Sequence, residues 1–487
     1  MNLITKENSL DGATDWQLTR VLLDEGGIRS PLIEGYCSRQ SVQAGEELRV
    51  MVSANPASRF EAEIFRMGYY GGRGARLMTR LGPFEATPQP DAPIGENRLR
   101  ECNWETSFKI TIPEDWVSGV YLGRLTTLPE RAEEPYWQSY IIFIVRDNRA
   151  ADIIFQCSDN TWQAYNKWPD SFSLYTDPRG VHAANVSASF NRPYGKYCQI
   201  FEAPQSVGSG EFLLWEFPLA FWLEEQGYDV TYVSNSDVLK ADQLTRGKIF
   251  LSVGHDEYWD LRQYEAVRDA IEKGVSVLWL SGNSVHAVSP LTPSNGEPNR
   301  TISRAGVFGG MDEATVRAYS HFYADIIFHG PNESAIIGAR TVTPCTGGGD
   351  WVCTLPHHWI FEGTGMKAGD KIPGLVGWES HGDPAKIPGL EVIAEGNKWG
   401  NGTTLGKWAA TIFEGPKGNI IFNASTIFWT QGLSAPPGHM LPWSHFSRPH
   451  GVDERVRKIT KNVLDHALRQ STFRENHQGG NNPKISH

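Results

Sequence analysis

Hydrophobic and polar positions follow two different patterns along the chain, and the change comes near residue 147. Before that point, apolar residues recur at every second position in short runs such as Leu48, Val50 and Val52. This spacing places them on one face of a β-strand. Several such runs, separated by turn residues, predict an all-β domain over residues 1–147, a β-sandwich with an immunoglobulin-like outline. The stretch Gly71–Asn103, rich in Gly, Pro and Arg, predicts a long loop that serves as a lid or an interface.

Beyond residue 147 the pattern predicts strands that alternate with helices. Residues 248–283 are the clearest case, because an apolar run at Ile249–Val253 and a second run at Val275–Leu280 flank a stretch with helical spacing. Such a strand–helix–strand unit has parallel strands. We therefore predict an α/β domain with a mainly parallel sheet over residues 148–470, which makes the whole chain a two-domain α+β protein. The same reasoning predicts strands at Asp152–Cys157, Asp229–Val233, Ser334–Gly338 and Gly418–Phe422, helices at 158–166, Phe217–Gln226 and Val452–Leu468, a covering loop at 284–312 and a disordered tail at 471–487.

Composition narrows the function classes. The chain has 487 residues and a formal net charge of −11, and it has no block of Lys and Arg, which argues against nucleic-acid binding. No run of eighteen apolar residues could span a membrane. The first residues do not show the pattern of a secretory signal, and the six cysteines lack CxxC spacing. We expect a cytoplasmic protein with reduced thiols.

Polar residues follow two neighbouring strands of the predicted sheet. His255 and Glu257 come after the first strand of the 248–283 unit, and Asn283 comes after the second. Ligands of open parallel sheets bind beyond the carboxyl ends of the strands, so we predict the active site here. Glu257 could bind a hard cation and His255 could move a proton, although an acidic residue also stabilises a first helical turn. Asn283 occupies the position of a nucleophile elbow; it could donate a hydrogen bond to an oxyanion, or simply form a turn.

Two tyrosines and one further carboxylate extend this candidate site. Tyr165 in TWQAYN and Tyr194 in NRPYG follow the first strand of the α/β domain. Either phenol could be a hard anionic metal ligand once a strongly acidic metal removes its proton, and either could instead be a packing residue. Glu379 follows an apolar run and is a possible second carboxylate, or else part of a solvated turn.

Two rival hypotheses come from other classes of protein. One is a zinc hydrolase that uses His255, Glu257 and His357 or His358, although no HxxxH spacing supports it. The other is a catalytically silent binding protein or scaffold with the same fold. Cys157 ends a strand and could be a nucleophile, but a buried small hydrophobe is the commoner role of such a cysteine.

Several ordered motifs resemble those of one enzyme family. They are MGYYGGRGARL and IPEDWVSGVYLGRL in the first domain, and TWQAYN, SFNRPYG, GHDEYW, LSGN and GTGMKAGDKIPGLVGWE in the second. With these motifs, over most of its length, the chain resembles the large catalytic subunit of N,N-dimethylformamidase. The resemblance implies a glutamine-amidotransferase-like α/β domain without the cysteine nucleophile, which agrees with Asn283 at the elbow position. Longer members of that family carry an additional lectin-like sandwich that this chain is too short to include.

The resemblance also implies a cofactor, an activity and partners. It implies a mononuclear ferric iron held by Tyr165, Tyr194 and Glu257, with Tyr175 and Tyr197 close enough in sequence to replace Tyr194. His255, Asn283 and Glu379 match the polar residues around that iron. The expected reaction is hydrolysis of the C–N bond of a small N-substituted amide such as a formamide. The expected partners are further copies of the chain and a small accessory subunit.

Overall fold

The computed structural model describes residues 1–131, 133–176, 186–196, 206–309 and 328–470. Within them the protein is an α+β protein with mixed sheets and few helices. The more specific immunoglobulin-like and amidotransferase-like assignments stay predictions. The helices are α1 (Leu3–Glu7), α2 (Asp159–Tyr165), α3 (Phe212–Trp215), α4 (Phe217–Glu225), α5 (Ala241–Leu244), α6 (Leu261–Glu272), α7 (Ser334–Ile337) and α8 (Glu454–Gln470).

The first eight strands form two sheets that share one apolar core. One sheet has the order β1-β3-β6 and the other the order β2-β8-β7-β4-β5. Alternate residues of β8 point to opposite faces of the sheet. Ile141 and Phe143 therefore enter this core, while Ile142 and Ile144 enter a second apolar core that includes residues of the strands after residue 150. The strands are β1 (Glu34–Cys37), β2 (Ser41–Val42), β3 (Glu47–Ser53), β4 (Ser58–Met67), β5 (Ala75–Ala86), β6 (Phe108–Thr111), β7 (Gly119–Leu128) and β8 (Gln138–Val145).

The remaining strands are organised around a seven-stranded sheet of order β11-β9-β12-β14-β26-β25-β24. Its first five strands run parallel and its last three are joined by antiparallel pairing. The strands are β9 (Ala151–Gln156), β10 (Ser187–Ser189), β11 (Val230–Val233), β12 (Gly247–His255), β13 (Tyr258–Trp259), β14 (Ser276–Gly282), β15 (Ala287–Val288), β16 (Leu291–Ser294), β17 (Glu297–Ser303), β18 (Gly306–Phe308), β19 (Phe328–Gly330), β20 (Ala339–Thr341), β21 (Gly349–Val352), β22 (Lys371–Val376), β23 (His381–Pro384), β24 (Glu391–Gly400), β25 (Thr403–Glu414) and β26 (Ile420–Asn423).

The predicted parallel unit over residues 248–283 is confirmed. Strands β12 and β14 pair in parallel over seven residues, with α6 between them in sequence. The side chain of Asp260 accepts a hydrogen bond from the Arg262 backbone N–H and begins α6, and Gly274, with φ of 101°, lies just beyond its end. The carboxyl ends of β12 and β14 therefore lie side by side, as the site prediction requires.

Three local predictions are wrong. The predicted loop Gly71–Asn103 contains the twelve-residue edge strand β5, whose side chains are mostly half-buried or exposed and show no apolar alternation. The predicted covering loop 284–312 contains β15 to β18 within its described part, and the polar hairpin β16–β17 likewise lacks alternation. The predicted strand Ser334–Gly338 is helix α7, because a short apolar run does not distinguish one helical turn from a strand. The predicted tail 471–487 lies outside the described residues.

Candidate metal centre

The candidate site lies at the carboxyl ends of β12 and β14. His255 is the last residue of β12, Glu257 follows it, and Asn283 follows β14. Glu379 comes from the segment between β22 and β23. Ligand atoms of His255, Glu257 and Glu379 all lie within 4.8 Å of one another, and the three side chains are buried. Strand ends and one crossing segment thus bring together three of the side chains that the sequence singled out.

Two phenols bind the two oxygens of a single carboxylate. The Tyr165 hydroxyl lies 2.7 Å from Glu257 Oε2 and the Tyr175 hydroxyl donates to Glu257 Oε1 at 2.9 Å. The two hydroxyl oxygens are 2.9 Å apart, and the rings stack with centroids separated by 4.5 Å. Two potential phenolate ligands and one carboxylate therefore share one small volume.

The loop that carries Tyr175 is fixed by backbone contacts. Tyr165 is the last residue of α2, and the Leu174 N–H donates to the Ala164 carbonyl at 2.9 Å, which returns the chain to that helix. The buried Arg192 guanidinium donates to the carbonyl oxygens of residues 166, 168 and 172 at 2.7 to 3.0 Å. These bonds hold the loop against α2, so Tyr175 reaches the same carboxylate as Tyr165.

His255 is surrounded by carboxylates. Its Nε2 atom is 3.0 Å from Glu379 Oε2 and 3.4 Å from Glu257 Oε2, and its Nδ1 atom is 3.5 Å from Glu211 Oε2. Among the described residues, neither ring nitrogen has a partner with hydrogen-bond geometry, and Glu379 Oε2 has none either. Three buried carboxylates around one imidazole, with donor atoms left unpaired, form a cluster that a bound cation stabilises.

Burial and mutual charge shift the pKa values of the cluster in different directions. Burial lowers the pKa of His255, but the neighbouring carboxylates, Glu379 foremost, raise it well above its ordinary value. Burial raises the pKa of Glu257, but the close approach and positive charge of His255 outweigh it and lower that pKa to about 2. At Glu379 burial outweighs the charge of His255, so its pKa is raised. Burial, followed by the Glu257 charge, raises the pKa values of Tyr165 and Tyr175 well above 10.

Asn283 has the backbone of an elbow residue. Its φ is 53°, in the left-handed region, and the preceding Gly282 packs so closely that an added Cβ would lie 2.3 Å from the Glu379 carbonyl oxygen. The Asn283 side chain is buried, and its Oδ1 atom has no hydrogen-bond partner within the described part of the chain. A buried amide in this position is available to a bound ligand.

Tyr194 has different neighbours among the described residues. It lines a cavity of about 30 Å³ together with Asp159, Arg192 and Arg300, and its ring contacts Trp162 with centroids 6.4 Å apart. No hydrogen bond joins it to Glu257 among the described contacts, whereas Tyr175 makes one. Tyr197, the other possible substitute, lies outside the described residues.

The additional histidines of the zinc hypothesis and the candidate thiol nucleophile do not belong to the cluster of metal-ligating atoms found among the described residues. His357 is exposed and His358 pairs with Glu391 at the surface, 3.6 Å away, whereas His255 and Glu257 are buried. Cys157 is buried at the end of β9, and burial raises the pKa of its thiol well above 9, which keeps it protonated. Among the described residues, the cluster with metal-ligating geometry is His255, Glu257 and Glu379.

Sequence reasoning overlooked two residues that touch this cluster. Glu211 lies next to His255 at the start of α3, where an acidic residue before an apolar helix gives no signal of function. His381 lies two residues after Glu379 and accepts a hydrogen bond from the backbone beside Asn283. The SHG sequence around His381 resembles a turn, so only the packing of β23 against the elbow reveals the contact.

The donor set fits a hard cation. Carboxylate and phenol oxygens outnumber nitrogen, and unpaired donor atoms from His255, Glu379 and Asn283 lie at the same strand ends. Oxygen donors of this kind are preferred by hard metal ions.

None of the described helices is both long and apolar enough to cross a membrane.

Comparisons with known proteins agree with this picture at the level of the family. No curated protein matches the chain. The chain shows limited similarity to the solved C-terminal domain of wzt, with 11% identity, a TM-score of 0.16 and coverage of 30% of this chain and 90% of that chain. It also shows limited similarity to a family 123 glycoside hydrolase from Clostridium perfringens, with 12% identity, a TM-score of 0.13 and coverage of 28% of this chain and 32% of that chain. These TM-scores are too low to indicate a shared overall fold. A family profile, in contrast, matches residues 61–442, which is more than half of the chain. The chain belongs to the N,N-dimethylformamidase beta subunit-like, C-terminal family.

Proposed function

We propose that this protein is an iron-dependent hydrolase that cleaves the C–N bond of a small N-substituted amide such as a formamide. The observation that carries the proposal is the pair of tyrosine hydroxyls on the two oxygens of Glu257, beside His255 and Glu379. Membership of the N,N-dimethylformamidase beta subunit-like family supports an amide-hydrolysing activity.

We assign the iron ligands to Tyr165, Tyr175 and Glu257. Hydrogen bonding of both phenols to the same carboxylate supports Tyr175 over Tyr194 as the second phenolate. A ferric ion held there supplies Lewis acidity, which polarises an amide carbonyl and lowers the pKa of a water molecule. Burial and the Glu257 charge raise the pKa values of both phenols, so they hold their protons in the metal-free site and would have to release them as the ion binds.

The surrounding residues support the hydrolytic steps. The Asn283 amide N–H group donates to the substrate oxygen as negative charge develops on it. Water adds to the carbonyl carbon, the C–N bond breaks, and the leaving nitrogen takes up a proton. Glu379 in its protonated form donates a proton to the leaving amine, His255 at 3.0 Å returns a proton to Glu379, and the proton lost by the attacking water goes to His255. The products are a carboxylic acid and an amine.

An aromatic wall keeps bulk water away from these groups. Trp215 packs edge-on against the His255 ring at 6.2 Å and against Trp378 at 5.7 Å, and Phe428 stacks on Trp215. All three are fully buried. Exclusion of water strengthens the hydrogen bonds and charge interactions of the site.

The test combines spectroscopy with an activity assay. The purified protein is supplied with iron, its iron content and visible absorption spectrum are measured, and amine release is followed with N,N-dimethylformamide and with larger N-alkyl and N-aryl formamides. About one iron per chain, a phenolate-to-iron absorption band and amine release are expected. The Glu257→Gln variant, which keeps the side-chain shape, is expected to lack all three. Full activity with zinc and no visible band would refute the iron assignment, and the absence of amide hydrolysis in the iron-loaded protein would refute the activity.

A further inference from the structure

The turn that carries Asn283 has an unfavourable backbone. Asn283 has φ of 53° and Val285 has φ of 56°. A positive φ is uncommon for any residue with a side chain, and for a β-branched residue such as Val it is a clear outlier. Strained backbone of this kind persists only where surrounding contacts hold it in place. The turn therefore needs an external support.

His381 provides a buried contact to this turn. The Ser284 backbone N–H donates to His381 Nε2 at 3.0 Å, and His381 Nδ1 lies 2.9 Å from Asn423 Oδ1. An amide oxygen can only accept, so Nδ1 carries the proton and Nε2 is left as the acceptor. The His381 side chain is 0% exposed. Both ring nitrogens are thus occupied, one by a sheet residue and one by the turn.

The segment around His381 also packs directly against the turn. The Gly282 α-carbon lies against the Glu379 carbonyl, and the Ile427 N–H donates to that carbonyl at 3.1 Å. The His381 N–H donates to Ser425 Oγ at 3.1 Å, which fixes the backbone of the segment. One segment therefore carries Glu379 and supports the turn of Asn283.

The contact from His381 also removes a donor that elbow enzymes use. In hydrolases with a nucleophile elbow, the backbone N–H of the residue after the nucleophile is part of the oxyanion hole. Here that N–H belongs to Ser284 and is already bonded to His381. The Asn283 side chain can still offer its amide N–H group to a substrate oxygen, and its orientation depends on the turn.

We propose that His381 is a positioning residue, which holds the Ser284 N–H and thereby fixes the strained turn that presents the Asn283 side chain to the substrate oxygen. This inference rests on the proposed amide hydrolysis for its catalytic part. The hydrogen bond and its effect on the turn can be measured without activity.

Two matched variants separate the contacts of the ring. In His381→Gln the longer side chain can still offer an acceptor to Ser284, whereas in His381→Asn the shorter side chain reaches Asn423 and has no acceptor for Ser284. Hydrogen exchange is measured on peptides that span residues 282–285. Loss of amide protection in His381→Asn and its retention in His381→Gln is expected, and equal protection in all three proteins overturns the proposal.

A double-mutant cycle with Asn283→Ala tests whether the effect passes through Asn283. His381→Asn is expected to lower kcat roughly 10- to 100-fold with little change in KM and in iron content, since a donor to a developing oxyanion contributes about that much or more. In the Asn283→Ala background the same change is expected to cost less than about 3-fold, because the residues are coupled. Independent, multiplicative losses overturn the proposal.

A measurement on the unaltered protein covers the case in which the variants do not fold. With ¹⁵N-labelled histidine, the His381 resonances should report a proton on Nδ1 and none on Nε2. A proton on Nε2 overturns the proposal, because that nitrogen could not accept from Ser284. If the iron-loaded protein hydrolyses no amide, the proposed function fails, while the exchange and ¹⁵N measurements still decide whether His381 holds the turn.

Discussion

Tyr175 and Tyr194 provide the most direct test of the ligand set, because sequence and structure favour different residues. In the structure the Tyr175 hydroxyl donates to Glu257 at 2.9 Å and lies 2.9 Å from the Tyr165 hydroxyl. Tyr194 faces a separate cavity beside Asp159. The matched changes are Tyr175→Phe and Tyr194→Phe, which remove the same hydroxyl group from each environment.

The hydrogen bond from Tyr175 to Glu257 belongs to the metal-free protein and is lost when the phenol binds iron as a phenolate, so the expected magnitude follows from the loss of a ligand. Loss of a group that only orients a ligand commonly weakens metal affinity by about 10- to 100-fold, and loss of a ligand itself should cost at least as much. We therefore expect Tyr175→Phe to weaken iron binding by about 100-fold or more. Tyr194→Phe should change it by less than about 3-fold, because no hydrogen bond links Tyr194 to Glu257 among the described contacts.

The assay is iron retention against increasing concentrations of a competing chelator, followed by elemental analysis and by the visible absorption band. If two phenolates bind the ion, Tyr175→Phe should also reduce the intensity of that band per iron to about half. Tyr165→Phe is the positive control, since both assignments include Tyr165. Loss of iron in Tyr194→Phe, with normal retention in Tyr175→Phe, would refute the assignment and restore the set Tyr165, Tyr194 and Glu257.

Three further predictions follow from the buried charges. Tyr165 and Tyr175 keep their protons in the metal-free protein, so iron affinity should rise with pH by about tenfold per pH unit for each proton released. Competition with a chelator at several pH values measures this, and an affinity that does not change with pH would contradict it. Burial raises the pKa of Asp159 to about 8, so its favourable contribution to stability is present at acid pH and is lost as the pH rises toward 8. Asp159→Asn should therefore raise Tm at pH 8.5 but not at pH 4. Equal shifts of Tm at both pH values would argue against this. Arg66 and Glu224 form a fully buried ion pair at 2.8 Å, and Glu224→Gln leaves the charge of Arg66 without its partner. Chemical denaturation should show a free energy of unfolding that is lower by about 3–5 kcal/mol. A loss below about 1 kcal/mol would show that the pair is dispensable.

The central part of the site could be predicted from the sequence because strand ends are local features. The apolar runs of β12 and β14 and the helical spacing between them fix the parallel unit, and with it the positions of His255, Glu257 and Asn283. Glu379 was also identified, from its position after an apolar run, although that position does not indicate which strand ends it approaches.

The second phenol could not be assigned in the same way. Tyr175 and Tyr194 both lie in segments without hydrophobic periodicity, so their placement depends on contacts between distant residues. The buried Arg192 determines the outcome for Tyr175, since its guanidinium holds three carbonyl groups of the preceding loop. Arginine is usually exposed, and nothing in the NRPYG motif indicates that this one is buried.

The edge strands were missed for a related reason. Strand β5 and the hairpin β16–β17 have mostly exposed or half-buried side chains, so backbone pairing rather than an apolar face defines them. Sequence patterns detect burial, and these strands bury little. The same limitation does not affect the site, because β14 is buried along its whole length and β12 is buried at every residue except Lys248.

The lack of a nucleophile at Asn283 and the carboxylates around His255 can be explained together. An elbow residue attacks a carbonyl only if it is a nucleophile, and Asn283 is not one, so in the proposed hydrolysis the attacking group is water. Water at neutral pH is a poor nucleophile and needs activation. Glu211, Glu257 and Glu379 gather negative charge around His255, which is costly in a buried site unless a cation binds there. In the proposed function, the carboxylates that make the metal-free cluster unfavourable would provide the affinity for a hard metal ion, and that ion would activate the water that replaces the missing side-chain nucleophile.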